Sequence, residues 1–199
     1  MGQLSFFSAD LLPPQVGDLG GLLAAHGQFT VGPRGARLSI LTDDPARAAA
    51  LVAECAARDI NAQVTVDGQH HLMRTDRTPA LIELARSWTR GAVKSAPEHL
   101  VASAGFLRVW VIAAGRMDDA GYLLGLDPHT PDTTDALVAA CARAGIAGAY
   151  IGVRGGGPGI RIVGHRRLAR LIDTVGTLPP DLPAECYPIE TPAVEAHRR

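Results

Sequence analysis

Polar and apolar residues follow two periods along this chain, and the two kinds of run succeed each other in a fixed order. Leu38 and Ile40 alternate with Arg37 and Ser39, the pattern of a half-buried strand. Asp44 then Pro45 reads as an N-cap followed by proline in the first helical turn. An alanine-rich helix, ALVAECAARDI, follows at 50–60. Val64 and Val66 alternate next, Asp67-Gly68 signals a hairpin, and a second strand runs on through Arg74. The succession then recurs. An apolar strand spans Tyr122 to Leu126, Asp and Thr residues cap a turn, and ALVAACARAGI occupies 136–146. Ile151 and Val153 alternate, a glycine-rich turn follows, and Ile160 and Ile162 flank Arg161. Each hairpin leads into a further helix, TPALIELARSW in the first half and HRRLARLIDTV in the second. Each half also opens with a helix, LGGLLAAHG at 19–27 and LRVWVIAAG at 107–115, followed by a short strand and turn.

The two alanine-rich helices align without gaps and share seven of eleven residues, Cys55 matching Cys141. With flanks that also correspond, this predicts an internal duplication. Each half reads helix–strand–strand–helix–strand–strand–helix. The predicted organisation is an N-terminal extension over 1–14, a first repeat over 15–88 and a linker over 89–96. A second repeat covers 97–178, and a Pro-rich, extended tail covers 179–199. The fold class is α/β of the α+β kind.

That order, duplicated at this spacing, resembles the LAGLIDADG fold. Leu19-Gly20-Gly21-Leu22-Leu23-Ala24-Ala25-His26-Gly27 can be laid on the LAGLIDADG motif itself. Leu107 to Gly115 is a weaker second copy that keeps the final glycine. DLGGLLAAHGQFTV, and LRVWVIAAGRMDDAGYLLGL followed by ALVAACARAGI, are similar to the N-terminal domain of the WhiA family of sporulation regulators of Gram-positive bacteria. The resemblance covers about residues 15–178 and implies two αββαββα repeats related by a pseudo-twofold, with antiparallel sheets forming a saddle. It implies that the two motif helices pack side by side, a role that suits Gly20, Gly21, Ala24, Ala113 and Ala114. WhiA proteins continue into a helix-turn-helix domain, whereas here a Pro-rich stretch follows the second repeat, which puts a WhiA-like route to DNA in doubt.

In active LAGLIDADG enzymes an acidic residue precedes the closing glycine of each motif helix, and the two carboxylates hold Mg²⁺. A hard cation needs oxygen ligands. The matching positions are His26 and Ala114, so the expectation is a chain that is not an enzyme and has no catalytic residues. Asp118 and Asp119 lie in a predicted turn past the second motif and would substitute only in a shifted alignment. GGGPG at 155–159 lacks the Lys-Ser/Thr and following helix of a phosphate-binding loop and reads as a wide hairpin turn. His70 and His71 are adjacent in a strand and point to opposite faces. Cys55 and Cys141 read as core. No metal site and no cofactor is expected.

Composition narrows the partners. At 47% apolar and 20% charged, the chain can bury a core unaided. The formal net charge of −1 shows none of the basic excess of a dedicated nucleic-acid binder, so such a surface would have to be local. Three widely spaced cysteines indicate neither a zinc site nor a disulfide framework. Neither a signal peptide nor a bilayer-spanning run is seen, and a cytoplasmic protein with no membrane partner is expected. Alternation places Arg37, Ser39, Gln63, Thr65 and Arg161 on the outer sheet faces. Arg34, Arg37, Arg74, Arg154 and Arg161 form the candidate phosphate-contacting set. Two readings stay open. One is a non-catalytic, WhiA-like transcriptional regulator of the sporulation type that binds double-stranded DNA weakly. The other is a protein-interaction module that docks a transcription factor.

Overall fold

The structure, a computed structural model, describes residues 8–91 and 93–188. A 3-10 turn at Val16–Leu19 runs into helix α1 (Gly20–Ala24). Then come β1 (Gln28–Gly32), β2 (Gly35–Thr42), α2 (Pro45–Ala56), β3 (Ala62–Asp67), β4 (His70–Thr75) and α3 (Ile82–Ser87). A small hairpin of β5 (Thr89–Arg90) and β6 (Val93–Lys94) joins the halves. The second half repeats the order as α4 (Ala104–Ala114), β7 (Gly115–Asp118), β8 (Gly121–Gly125), α5 (Thr134–Arg143), β9 (Ala149–Ile151), β10 (Gly159–Ile162) and α6 (His165–Val175).

Both sheets are antiparallel and share one topology, β1-β2-β4-β3 and β7-β8-β10-β9. The expected mixed α/β architecture of two repeats with antiparallel sheets is thus present. Local chemistry sets the helix starts. Asp44 caps α2 by accepting from the Ala46 and Arg47 amides, with Pro45 at the position where no amide donor is needed. Ser103 caps α4 through the Phe106 amide.

Strand alternation sorts the side chains. Leu38, Ile40 and Met73 are buried beneath the first sheet, and Tyr122, Leu124, Ile160 and Ile162 beneath the second. Val64 and Val66 lie on the core-side face of β3, yet they are 37% and 61% exposed. β3 is an outer strand of its sheet, and the helical layer does not reach across it. Leu22, Leu23, Val109, Trp110, Val111 and Ile112 fill the interior between the sheets. Trp110 satisfies its indole N–H on Gly125 O at 2.8 Å.

Helices α1 and α4 meet at their small residues. A Cβ on Gly21 would lie 2.5 Å from Phe106 O and 2.6 Å from Trp110 N. A Cβ on Gly20 would lie 3.0 Å from the Trp88 indole nitrogen. Ala24 and Ala113 are buried, and Ala114 abuts Gly125. Close backbone approach is therefore built into this crossing.

The stretch expected to be an extended tail differs over 179–188. Leu182, Cys186 and Tyr187 are buried. Tyr187 Oη donates to Val175 O at 2.9 Å, and Tyr122 Oη donates to Cys186 O at 2.9 Å. An apolar residue pattern spaced by prolines can dock without regular structure once its few polar groups find partners. The rest of the tail, and residues 1–7 of the N-terminal extension, lie outside the described residues. Among the described residues no helix is long and apolar enough to cross a membrane.

Candidate functional site

The carboxyl ends of α1 and α4 reach a cleft of about 500 Å³ between the two sheets. His26, two residues beyond α1, and Ala114, the last residue of α4, both line it. Leu41 on the first sheet and Arg116 and Gly125 on the second form its walls, so the cleft belongs to both halves. Asp43, Arg47 and His70 complete its polar lining.

A helix carboxyl end carries unsatisfied carbonyls and a partial negative charge. Each motif helix has a cation placed against that end. Arg47, from α2, donates to the Val111, Ile112 and Gly115 carbonyls, the last at 2.9 Å. Lys94, from the joining hairpin, donates to Ala25 O at 3.3 Å and Gly27 O at 3.0 Å. Lys94 also meets Asp127 Oδ2 at 2.8 Å, and neither side chain is more than 6% exposed. Gln28 and the His129 amide satisfy the rest of that carboxylate. Burial pushes the Lys94 ammonium down from its ordinary value, and the Asp127 bond only partly offsets this. Burial also works against the Asp127 charge, but Lys94, the His129 amide and Gln28 outweigh it and the carboxyl lies below its usual range.

In the cleft itself, His70 Nδ1 and Asp43 Oδ1 are 2.5 Å apart. Both side chains are largely exposed. His26 Nε2 donates to Leu41 O at 2.6 Å. Two guanidiniums and two imidazoles thus face one carboxylate. Such a lining can hold an anion.

Mg²⁺, which the LAGLIDADG resemblance implies, fits these residues poorly. Among the described residues Asp43 is the cleft's one carboxylate and is bonded to His70, whereas a hard cation needs several oxygen ligands. Among the described residues no three His, Cys, Asp or Glu side chains gather to hold a metal ion. Asp118 is engaged elsewhere, as an acceptor for Arg161. Cys55 and Cys141 are buried in the core, where desolvation pushes their thiols up to about 12.

The candidate arginines do not form one set. Arg37 and Arg74 rise from the outer face of the first sheet, and Arg34 sits in the β1–β2 turn. Arg154 is exposed in the turn between β9 and β10. None of these four enters an ion pair among the described residues. Arg161 is different. Its guanidinium is held by Asp118 at 2.7 Å and also donates to Gly155 O. Sequence reasoning missed Arg47, Arg116, Asp43 and Lys94, whose partners are distant in the chain. The signal within reach was an Asp after the second strand of each half, Asp43 and Asp127.

The comparison with solved structures agrees with this architecture. The homing endonuclease I-WcaI bound to its DNA recognition sequence matches with a TM-score of 0.55 and 10% identity, over 88% of this chain and 89% of that one. The fold is LAGLIDADG-like. No family model matches the sequence, nor does any curated protein. The likeness corrects the expectation of a chain that is not an enzyme, because the solved structure that shares its fold is an endonuclease. That expectation rested on His26 and Ala114 at the motif positions, with Asp118 and Asp119 as substitutes only in a shifted alignment. The cleft lined by His26 and Ala114 also carries a carboxylate, a second imidazole and two guanidiniums.

Proposed function

We propose that this chain associates with duplex DNA across its saddle, with a backbone phosphate seated in the cleft at the motif-helix ends. The observation that carries this reading is the lining of that cleft, Arg47, Arg116, His26 and His70 against Asp43 alone. It supplies a local positive site on a chain whose total charge is −1. Arg34, Arg37 and Arg74 extend the cationic surface over the first sheet. The structural neighbour is bound to its DNA recognition sequence, which supports a DNA partner. The finer reading is a transcriptional regulator of the WhiA type, acting in a sporulation-like programme.

A fluorescence-anisotropy titration of duplex DNA at several salt concentrations tests the reading. Affinity is expected on the order of the 10⁻⁴–10⁻⁶ M of sequence-independent contacts, falling linearly with salt on a log–log scale. Arg34→Ala and Arg74→Ala should each lower that slope by about one. Absence of binding at low salt overturns the proposal. It would favour the second reading, a transcription-factor partner docked along β3, whose Val64 and Val66 are exposed at the sheet edge.

A further inference from the structure

The two outer sheet faces, which a pseudo-twofold would make equivalent, are not in the same state. On the first sheet the register lines up Gln28, Ser39, Arg74 and Gln63 in one row across all four strands. Gln28, Arg74, Gln63 and the neighbouring Thr65 and Thr30 are exposed. Arg37 Nε is buried without a hydrogen-bond partner among the described residues. Gln28 donates to Asp127 and Thr30 accepts from Arg77, but Arg37, Arg74, Gln63 and Thr65 make no side-chain hydrogen bond among the described residues.

The corresponding row of the second sheet is Arg116, Leu123, Arg161 and Ala149. Leu123 is wholly buried, although its register places it on the outer side. The loop over 152–158 folds back onto this face. Arg116 donates to Gly156 O and Arg161 to Gly155 O. Asp118 fixes Arg161 from the other side, with Oδ2 at 2.7 Å and 3.1 Å from two of its nitrogens. The apolar packing agrees, since a Cβ on Gly155 would lie 2.6 Å from Ile151 Cγ2. A Cβ on Gly159 would lie 2.9 Å from Leu123 Cδ1. Both outer-face arginines of this sheet are thus tied to carbonyls of the 152–158 loop.

We propose that the chain reads duplex DNA on one side only: the first sheet enters the groove, while the second sheet is closed by its own 152–158 loop. This rests on the DNA-binding reading above and adds to it the size and position of the recognised segment. The eight-residue β2 is about 26 Å long at ~3.3 Å per residue, which spans about eight base pairs at ~3.4 Å each. The recognised element is then a single half-site rather than a pseudo-palindrome.

The test places one negative charge on each face of the full chain. Thr65→Glu and Ala149→Glu both alter exposed positions, so the fold should tolerate either, as circular dichroism and thermal melting would show. Binding to a fluorescein-labelled random-sequence 24-base-pair duplex at low salt is then measured by anisotropy. The expected result is a loss of about tenfold or more for Thr65→Glu and less than about twofold for Ala149→Glu. Shortening the duplex should leave affinity within about threefold until it falls below about eight to ten base pairs. Equal losses for the two variants, or a steep loss on shortening from 20 to 14 base pairs, would overturn one-sided reading while leaving DNA binding intact. Failure of the unmodified protein to bind any duplex would overturn the DNA-binding reading itself, and this inference with it.

Discussion

Arg47 Nη2 donates to Gly115 O at 2.9 Å, so a side chain from the first repeat closes the motif helix of the second. The reciprocal closure of α1 comes from Lys94, which is itself anchored on Asp127 of the second repeat. The cleft therefore exists only when both halves are docked, and its charge is set by residues that also hold the halves together. Several consequences can be measured.

Gly21 should tolerate no side chain. Its missing Cβ faces main-chain atoms of α4, Phe106 O and Trp110 N, which cannot rotate away. Gly21→Ala is expected to cost about 1–3 kcal/mol, the usual penalty of overpacking. Gly17→Ala, with nothing within 4 Å of its Cβ, serves as the control and should leave the melting temperature nearly unchanged. Equal melting temperatures for both variants would contradict the crossing described here.

The buried Lys94–Asp127 pair should be costly to break and cheap to replace. Lys94→Met leaves a carboxylate buried without its cation and should destabilise by about 3–5 kcal/mol. A Lys94→Met/Asp127→Leu double variant should recover much of that loss, as a denaturant melt of all four species would show.

The same carboxyl sets a pH dependence. Its folded value lies below the ordinary one, so the unfolded chain takes up the proton first as pH falls. The stabilisation is complete above the ordinary carboxylate value of ~4 and is lost as pH falls through the lower folded value. The stability gap between the unmodified protein and Asp127→Asn should therefore be constant near neutrality and shrink below about pH 4. A gap that widens on acidification would reverse the assigned sign.

Asp43 is the one carboxylate in a cleft of cations and should oppose anion binding. Asp43→Asn is expected to tighten duplex binding by up to about fivefold, the effect of removing an exposed charge worth ~1 kcal/mol or less. Because Asp43 is exposed, its melting temperature should hardly move. Weaker binding by this variant would argue that the Asp43–His70 pair, not the net charge, organises the cleft.

The three cysteines should be inert in the folded protein. Burial pushes Cys55 and Cys141 up to about 12 and raises Cys186 as well, so little thiolate exists near neutrality. Ellman titration at pH 8 should show slow labelling of the native protein and rapid reaction of all three thiols in denaturant.

Much of this architecture was open to a reader of the sequence. Strand alternation at Leu38–Ile40 and Ile160–Ile162, the Asp44-Pro45 helix start and the recurrence of ALVAECAARDI as ALVAACARAGI are local signals. Each follows from periods of 2 and 3.6 residues and from the needs of a helix end, which act within a few positions. The small residues of LGGLLAAHG likewise announced a close helix contact, because few other residues permit one. What only the tertiary structure decided is which polar groups meet. Lys94 and Asp127 are 33 positions apart, and Arg161 and Asp118 are 43 apart. No local period connects them. Arg161 reads in the strand pattern as a free outward arginine, but a carboxylate and a carbonyl across the sheet occupy it. Docking of Tyr187 likewise depends on carbonyls at the end of α6 that no composition rule reveals. Hydrophobic period is a property of the chain alone, whereas a charge's partner is a property of distance in space.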